Sequence, residues 1–128
     1  MAGVAGLEAA ISFMQRVGMD AIVEHEKALY RYAEQQLQTV PGLKVIGTAP
    51  QKVGALSFVV EAVHPHDIST ILDQHAVAIR AGHHCAMPLM QRLGLAATAR
   101  ASFGVYNEMS DIDRLCEGLK AAVEMFTA

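Results

Sequence analysis

Apolar residues recur at helical spacing at both ends of this chain and alternate, as in strands, only through its middle. Val4, Leu7, Ile11 and Met14 fall three and four residues apart, which predicts a first helix over about 4–17. Gly18 interrupts that pattern. Asp20 then offers an N-cap for a second helix over about 21–39, whose Ile22, Leu29, Ala33, Leu37 and Val40 share a face, and Pro41-Gly42 ends it. LKVIG at 43–47 alternates like a short strand, and GALSFVVE at 54–61 is β-rich and nearly continuously apolar. His64-Pro65-His66-Asp67 opens a third helix with Ile68, Ile71, Leu72 and His75 on one side. AVAIR at 76–80 reads as a third strand, Pro88 suits the first turn of a short helix closed by Gly94, and TARASFGVY at 98–106 reads as a fourth strand. Ser110 and Asp113 form a capping-box pattern ahead of a final helix striped by Ile112, Leu115, Cys116, Leu119, Val123 and Phe126. The order ααββαβ(α)βα predicts an α+β sheet with helices on one face.

Composition narrows what such a domain does. The 128 residues fit one domain, and 52% hydrophobic against 18% charged residues makes it globular. With 13 acids against 10 bases and no Lys/Arg run, nucleic-acid binding is disfavoured. No apolar run reaches the ~20 residues of a spanning helix, and MAGVAGLEAA lacks the charged start of a signal peptide, so neither a membrane nor export is indicated. Two cysteines make no disulfide framework, and a reducing cytoplasmic setting is the default.

The chemistry concentrates in IRAGHHCAMP, residues 79–88. Of the six histidines, His25 reads as solvated, His64 and His66 flank Pro65 at a helix start, and His75 reads as a satisfied core residue; only His83 and His84 adjoin a thiol. Cys116, inside a helical apolar stripe, reads as a small core residue. Three readings compete for Cys85. A metal site needs ligands converging from separated positions, whereas His83, His84 and Cys85 are contiguous, so no metal is expected. An inert buried thiol is the plain alternative. A nucleophile is the third, because Cys85 lies in a Gly-polar loop just ahead of a helix, where orphan N–H groups and the helix dipole favour an anion. Arg100, set among the small residues Ala99, Ala101 and Ser102, is either a solvated arginine or a guanidinium aimed into a cleft, where it would suit a carboxylate.

RAGHHCAMPLM followed by RASFGVYN closely resembles the C-terminal part of SufS-type cysteine desulfurases, pyridoxal-phosphate enzymes of the class V aminotransferase family. The likeness runs from AGVAGLEAAISFM to the last helix. It implies the small C-terminal α+β domain of a fold-type-I enzyme, with residues 18–128 forming that domain and residues 1–17 a remnant helix of the large cofactor domain. By resemblance Cys85 is the nucleophile that takes sulfur from L-cysteine, leaving alanine and a Cys85 persulfide. Arg100 binds the substrate carboxylate, Arg80 lines the same pocket, and His84 precedes the nucleophile as in the family. The resemblance further implies a homodimeric parent enzyme, selenocysteine as a second substrate, and a sulfur-acceptor protein of the SufE or SufU type serving iron–sulfur cluster assembly.

The departure concerns the cofactor. The family's Schiff-base lysine sits in a His-Lys context, and none of Lys27, Lys44, Lys52 or Lys120 has that setting; no Gly-rich phosphate loop is present either. The chain is therefore expected to be a piece of a longer protein that neither holds the cofactor nor turns over cysteine alone, with its first helix either fraying or self-associating. Two other classes remain open: a non-catalytic α+β binding or regulatory domain, and another superfamily member such as a cysteine or selenocysteine lyase.

Overall fold

The computed structural model describes residues 1–128. Five helices and four strands follow in the order α1 (Ala2–Val17), α2 (Met19–Leu37), β1 (Leu43–Ile46), β2 (Ala55–Val60), α3 (Pro65–Gln74), β3 (Arg80–Gly82), α4 (Met87–Leu93), β4 (Thr98–Ser102) and α5 (Met109–Thr127). This is the order expected from the hydrophobic pattern. The strands form one sheet, β1-β2-β4-β3, in which every neighbouring pair is antiparallel.

Strand side chains alternate between two faces, and here the faces differ sharply. Leu56, Phe58 and Val60 of β2 and Ala99 and Ala101 of β4 are buried. They join Leu29, Ala33 and Leu37 of α2, Ile68 and Leu72 of α3, and Ile112, Leu115, Cys116 and Leu119 of α5 in one core cluster. The helices thus cover one face of the sheet. On the other face Lys44 is exposed and Ile46, Ser57, Val59 and Arg100 are only half-buried. That second face carries the chemistry.

The local signals explain most element ends. His64 caps α3, its Nδ1 accepting from the His66 N–H at 3.2 Å, with Pro65 in the first turn. Gly94 closes α4 in the left-handed region at φ 66°, which glycine adopts freely. At α5 the box lies two residues earlier than Ser110 and Asp113: Asp111 Oδ2 accepts from the Glu108 N–H at 3.0 Å. The helix begins where Asn107 already binds Asp111 and fixes its first turn. Asp20 likewise falls inside α2, whose N-cap is Gly18. The third strand is displaced: only Arg80 of 76–80 is in β3. Ala76 turns at φ 56° and the Val77 N–H returns to Leu72 O at 3.0 Å, so 76–79 caps α3 instead of pairing. Val77 and Ile79 still pack against the core, which accounts for their apolar character. The fourth strand stops at Ser102 because Phe103 to Asn107 turns, with Asn107 N–H donating to Gly104 O at 3.0 Å.

Two histidines also differ from expectation. His25 is half-buried, its Nε2 3.0 Å from Asn107 O, because α2 packs beside the loop after β4. His75 is exposed at the C-cap of α3, where the chain leaves the helix before its ring can enter the core. Cys116 is buried as expected.

Helices α3 and α5 meet closely at Gly118. A Cβ there would lie 2.6 Å from Leu72 Cδ2 and 3.3 Å from His75 Cγ. Since Leu72 is fully buried, it has little room to yield. Gly118→Ala is therefore expected to destabilise the fold by about 1–3 kcal/mol despite alanine's better helix propensity. Urea denaturation reads this directly, and a gain in stability would contradict the close approach.

No residue of α1 is buried: Val4, Leu7, Ile11 and Met14 all face outward. No helix is long and apolar enough to cross a membrane.

Candidate active site

Because β3 and β4 pair antiparallel, Arg80 lies directly opposite Arg100, and Ser57 flanks Arg100 on the other side. Residues so paired share a face, and like charges directly opposite one another are unfavourable. Neither arginine has a carboxylate partner, since the salt bridges of the fold are Lys27–Glu24, His66–Asp67 and Arg114–Asp111. The Arg100 Nε is buried and without a hydrogen-bond partner. Two unneutralised guanidinium groups on the open face form a local demand for an anion, and their planar forks suit a carboxylate.

The thiol is delivered to the same place. After β3 the chain turns back through His83–Ala86, with the Ala86 N–H donating to His83 O at 2.9 Å. The central residues, His84 and Cys85, both have positive φ, at 55° and 59°. This is the pattern of a type I′ turn, which normally recruits glycine or asparagine. Cys85 is exposed, and Arg80 Nη2 donates toward its Sγ at 3.5 Å. Cys85 is thus not buried, as the plain alternative had it.

His84 points away from the sulfur. Its Nε2 lies 2.8 Å from Thr98 Oγ1 and 3.1 Å from Thr98 O, at the start of β4. Burial, then the Arg100 and Arg80 charges, hold its pKa below the usual histidine value, so the ring is neutral at neutral pH. His83 is exposed. With His84 on Thr98 and Cys85 by Arg80, the contiguous trio does not gather around one point, and no group of three His, Cys, Asp or Glu is placed to hold a metal.

The strain at Cys85 is itself measurable. A non-glycine residue in the left-handed region costs about 1–2 kcal/mol. Cys85→Gly is expected to raise stability by about 1 kcal/mol in urea denaturation while removing the thiol. A fall in stability would mean that the turn is not strained as described.

The lysines do not supply a cofactor anchor here. Lys27 pairs with Glu24, Lys52 donates to Tyr30 Oη and Gly47 O, Lys120 is exposed on α5, and Lys44 lies two strands from Arg100. The residues present do not fit a Schiff-base site for pyridoxal phosphate. They form a face that could meet a substrate held from elsewhere.

An antiparallel sheet with helices on one face makes this an α+β domain, and the solved structures it resembles are fold-type-I pyridoxal-phosphate enzymes. The chain belongs to the class-V aminotransferase family, whose pattern matches residues 1–115. It is 50% identical over 127 residues to a probable cysteine desulfurase of Halalkalibacterium halodurans, covering 98% of this chain and 31% of that protein. A probable cysteine desulfurase of Staphylococcus epidermidis is 46% identical over 123 residues, covering 95% of this chain and 30% of the relative. Among solved structures, the cysteine desulfurase CsdA from Escherichia coli superimposes with a TM-score of 0.89 at 35% identity, over 98% of this chain and 31% of that one. A cystine C-S lyase in complex with cysteine persulfide shares the fold at a TM-score of 0.72 and 22% identity, over 91% of this chain and 28% of that one. The chain thus spans about a third of the length of these relatives.

Proposed function

We propose that this chain is the substrate-facing small domain of a cysteine desulfurase, which takes sulfur from L-cysteine and leaves alanine. The observation that carries this reading is the juxtaposition of an exposed Cys85 thiol with the facing pair Arg80 and Arg100, neither neutralised by an acid. A carboxylate held by Arg100, with Arg80 beside it, places an amino acid so that its side chain reaches Cys85. That is positioning catalysis.

In the reaction proposed, the Cys85 thiolate forms an S–S bond to the substrate sulfur as the substrate's carbon–sulfur bond breaks. Cys85 ends as the persulfide, and the carbon takes a proton to become alanine. In the parent enzyme pyridoxal phosphate supplies the electron sink, held by the remaining two thirds of the protein. Exposure of Cys85 suits onward delivery of sulfur to an acceptor protein of the SufE or SufU type, for iron–sulfur cluster assembly in the cytoplasm. Residues 1–17 serve as the helix that docks on the large cofactor domain, which gives the exposed Val4, Leu7, Ile11 and Met14 their partner, and residues 18–128 are the small domain. The parent is a homodimer, and selenocysteine is a second substrate.

The test is a chimaera in which this chain replaces the matching third of the Halalkalibacterium halodurans relative. With cofactor bound, it should release alanine from L-cysteine, whereas the 128-residue chain alone should retain no cofactor absorption through desalting and release none. A chimaera that binds cofactor but yields no alanine would refute the reading. One that yields pyruvate and ammonia instead of alanine would indicate a lyase.

A further inference from the structure

The turn that presents Cys85 has both central residues in the left-handed region, and little within the turn itself holds it there. One hydrogen bond, Ala86 N–H to His83 O, closes it. The further restraint is the His84 side chain, whose Nε2 reaches both Oγ1 and O of Thr98. Thr98 is two residues before Arg100 on β4 and directly opposite Gly82, the last residue of β3. Thr98 shares its sheet face with Arg100 and is 1% exposed where Arg100 is half-buried and Ser102 exposed, and the His84 ring contacts it there. The ring therefore anchors the nucleophile's turn to the strand that carries the arginine.

We propose that His84 is a positioning residue that latches the Cys85 turn to β4 through Thr98, and so sets the distance between the thiol and the arginine pair. It touches no reacting atom: its Nε2 is committed to Thr98 and its Nδ1 is buried without a partner. Thr98 O can only accept, so a contact to it requires Nε2 to carry the hydrogen, which leaves Nδ1 as the bare nitrogen. Neutral imidazole suffices for that latch, in keeping with the charge of Arg100 and Arg80 nearby. Freed from Thr98, the turn would relax its two left-handed residues, and Cys85 would leave its 3.5 Å contact with Arg80 Nη2. The role assigned to the latch rests on the reading of Cys85 as nucleophile, but the latch itself is testable on this chain without cofactor or substrate.

The probe is the ratio of Cys85 alkylation rates with iodoacetate and with iodoacetamide. Only the former carries the carboxylate that the guanidinium groups attract, so the ratio reads the placement of the thiol against Arg80 and Arg100. Cys116, buried in the core, stays unreactive and reports on intact folding. Thr98→Val keeps the shape of the side chain while removing its hydroxyl, and should lower the ratio on the order of fivefold, the scale of one net hydrogen bond. His84→Ala should lower it at least as far, the double variant no further than His84→Ala alone, and Thr98→Ser should restore the wild-type ratio. Exchange of the Ala86 amide should quicken in step. An unchanged ratio in Thr98→Val and His84→Ala, with Cys116 still protected, would overturn the latch. Arg80→Ala separates the two ideas: if it lowers the ratio while the latch variants do not, the latch fails and the thiol–arginine site stands. If Arg80→Ala leaves the ratio unchanged as well, the site reading fails with it.

Discussion

Cys85→Ala in the chimaera is expected to abolish persulfide formation and to cut alanine release from L-cysteine by on the order of 10⁴-fold, the scale on which nucleophile removal acts. Cofactor binding should be unchanged, since none of this chain's lysines lines the pocket around the thiol. The direction follows from geometry: the other cysteine, Cys116, is packed among Leu115, Leu119 and Ile112 in the core and cannot substitute. Burial also pushes the Cys116 thiol upward in pKa, which keeps it protonated. Cys85→Ser should fail equally, because an alcohol cannot hold the sulfur as a persulfide. Alanine release is followed by amino-acid analysis. Retention of more than about a tenth of wild-type activity in both variants would remove Cys85 from the nucleophile's role.

The second large effect belongs to Arg100. It is half-buried, its Nε is unpartnered, and it is centred on the sheet between Ser57 and Arg80. Loss of a buried charged hydrogen bond to a ligand costs about 2–5 kcal/mol, so Arg100→Ala should lower kcat/KM for L-cysteine on the order of 10²–10³-fold. Arg100→Lys should recover little of this, because an ammonium lacks the fork that grips both carboxylate oxygens. Arg80 is exposed, where solvent screens its charge, so Arg80→Ala should cost only about tenfold. Steady-state kinetics on the three variants gives the order. An Arg80 effect exceeding that of Arg100 would invert the assignment of the carboxylate clamp.

The sequence carried much of this architecture because its strongest signals are periodic. The stripe from Ile112 to Val123, the pair Pro88 and Gly94 around α4, and Cys116 in the core all appear where periodicity and punctuation put them. Signals that depend on partners were weaker. AVAIR is apolar like a strand, yet Val77 and Ile79 pack half-buried against the core without pairing, after a left-handed turn at Ala76 that no glycine or asparagine announces. The same silence hides the turn at His84 and Cys85, whose positive φ values are held by tertiary contacts to Thr98 and Arg80. His25 could not be placed against Asn107, since the two are 82 residues apart.

The candidate site was legible in its residue types and not in its register. Cys85 and Arg100 stood out by setting, but a strand over 76–80 would have ended at Arg80. Only the observed β3, starting at Arg80, sets that residue opposite Arg100 and exposes two guanidinium groups without an acid between them. That pairing brings the two motifs together, as the proposed carboxylate site beside a thiol requires.

The central claim is that sulfur leaves the substrate onto Cys85. It is tested most directly by brief exposure of the cofactor-loaded chimaera to L-cysteine, alkylation, and mass spectrometry of the peptide spanning residues 81–92. One additional sulfur atom on Cys85, absent without L-cysteine and removed by reductant, is the predicted result. Alanine released with no sulfur on that peptide, or sulfur found on another cysteine instead, would contradict it.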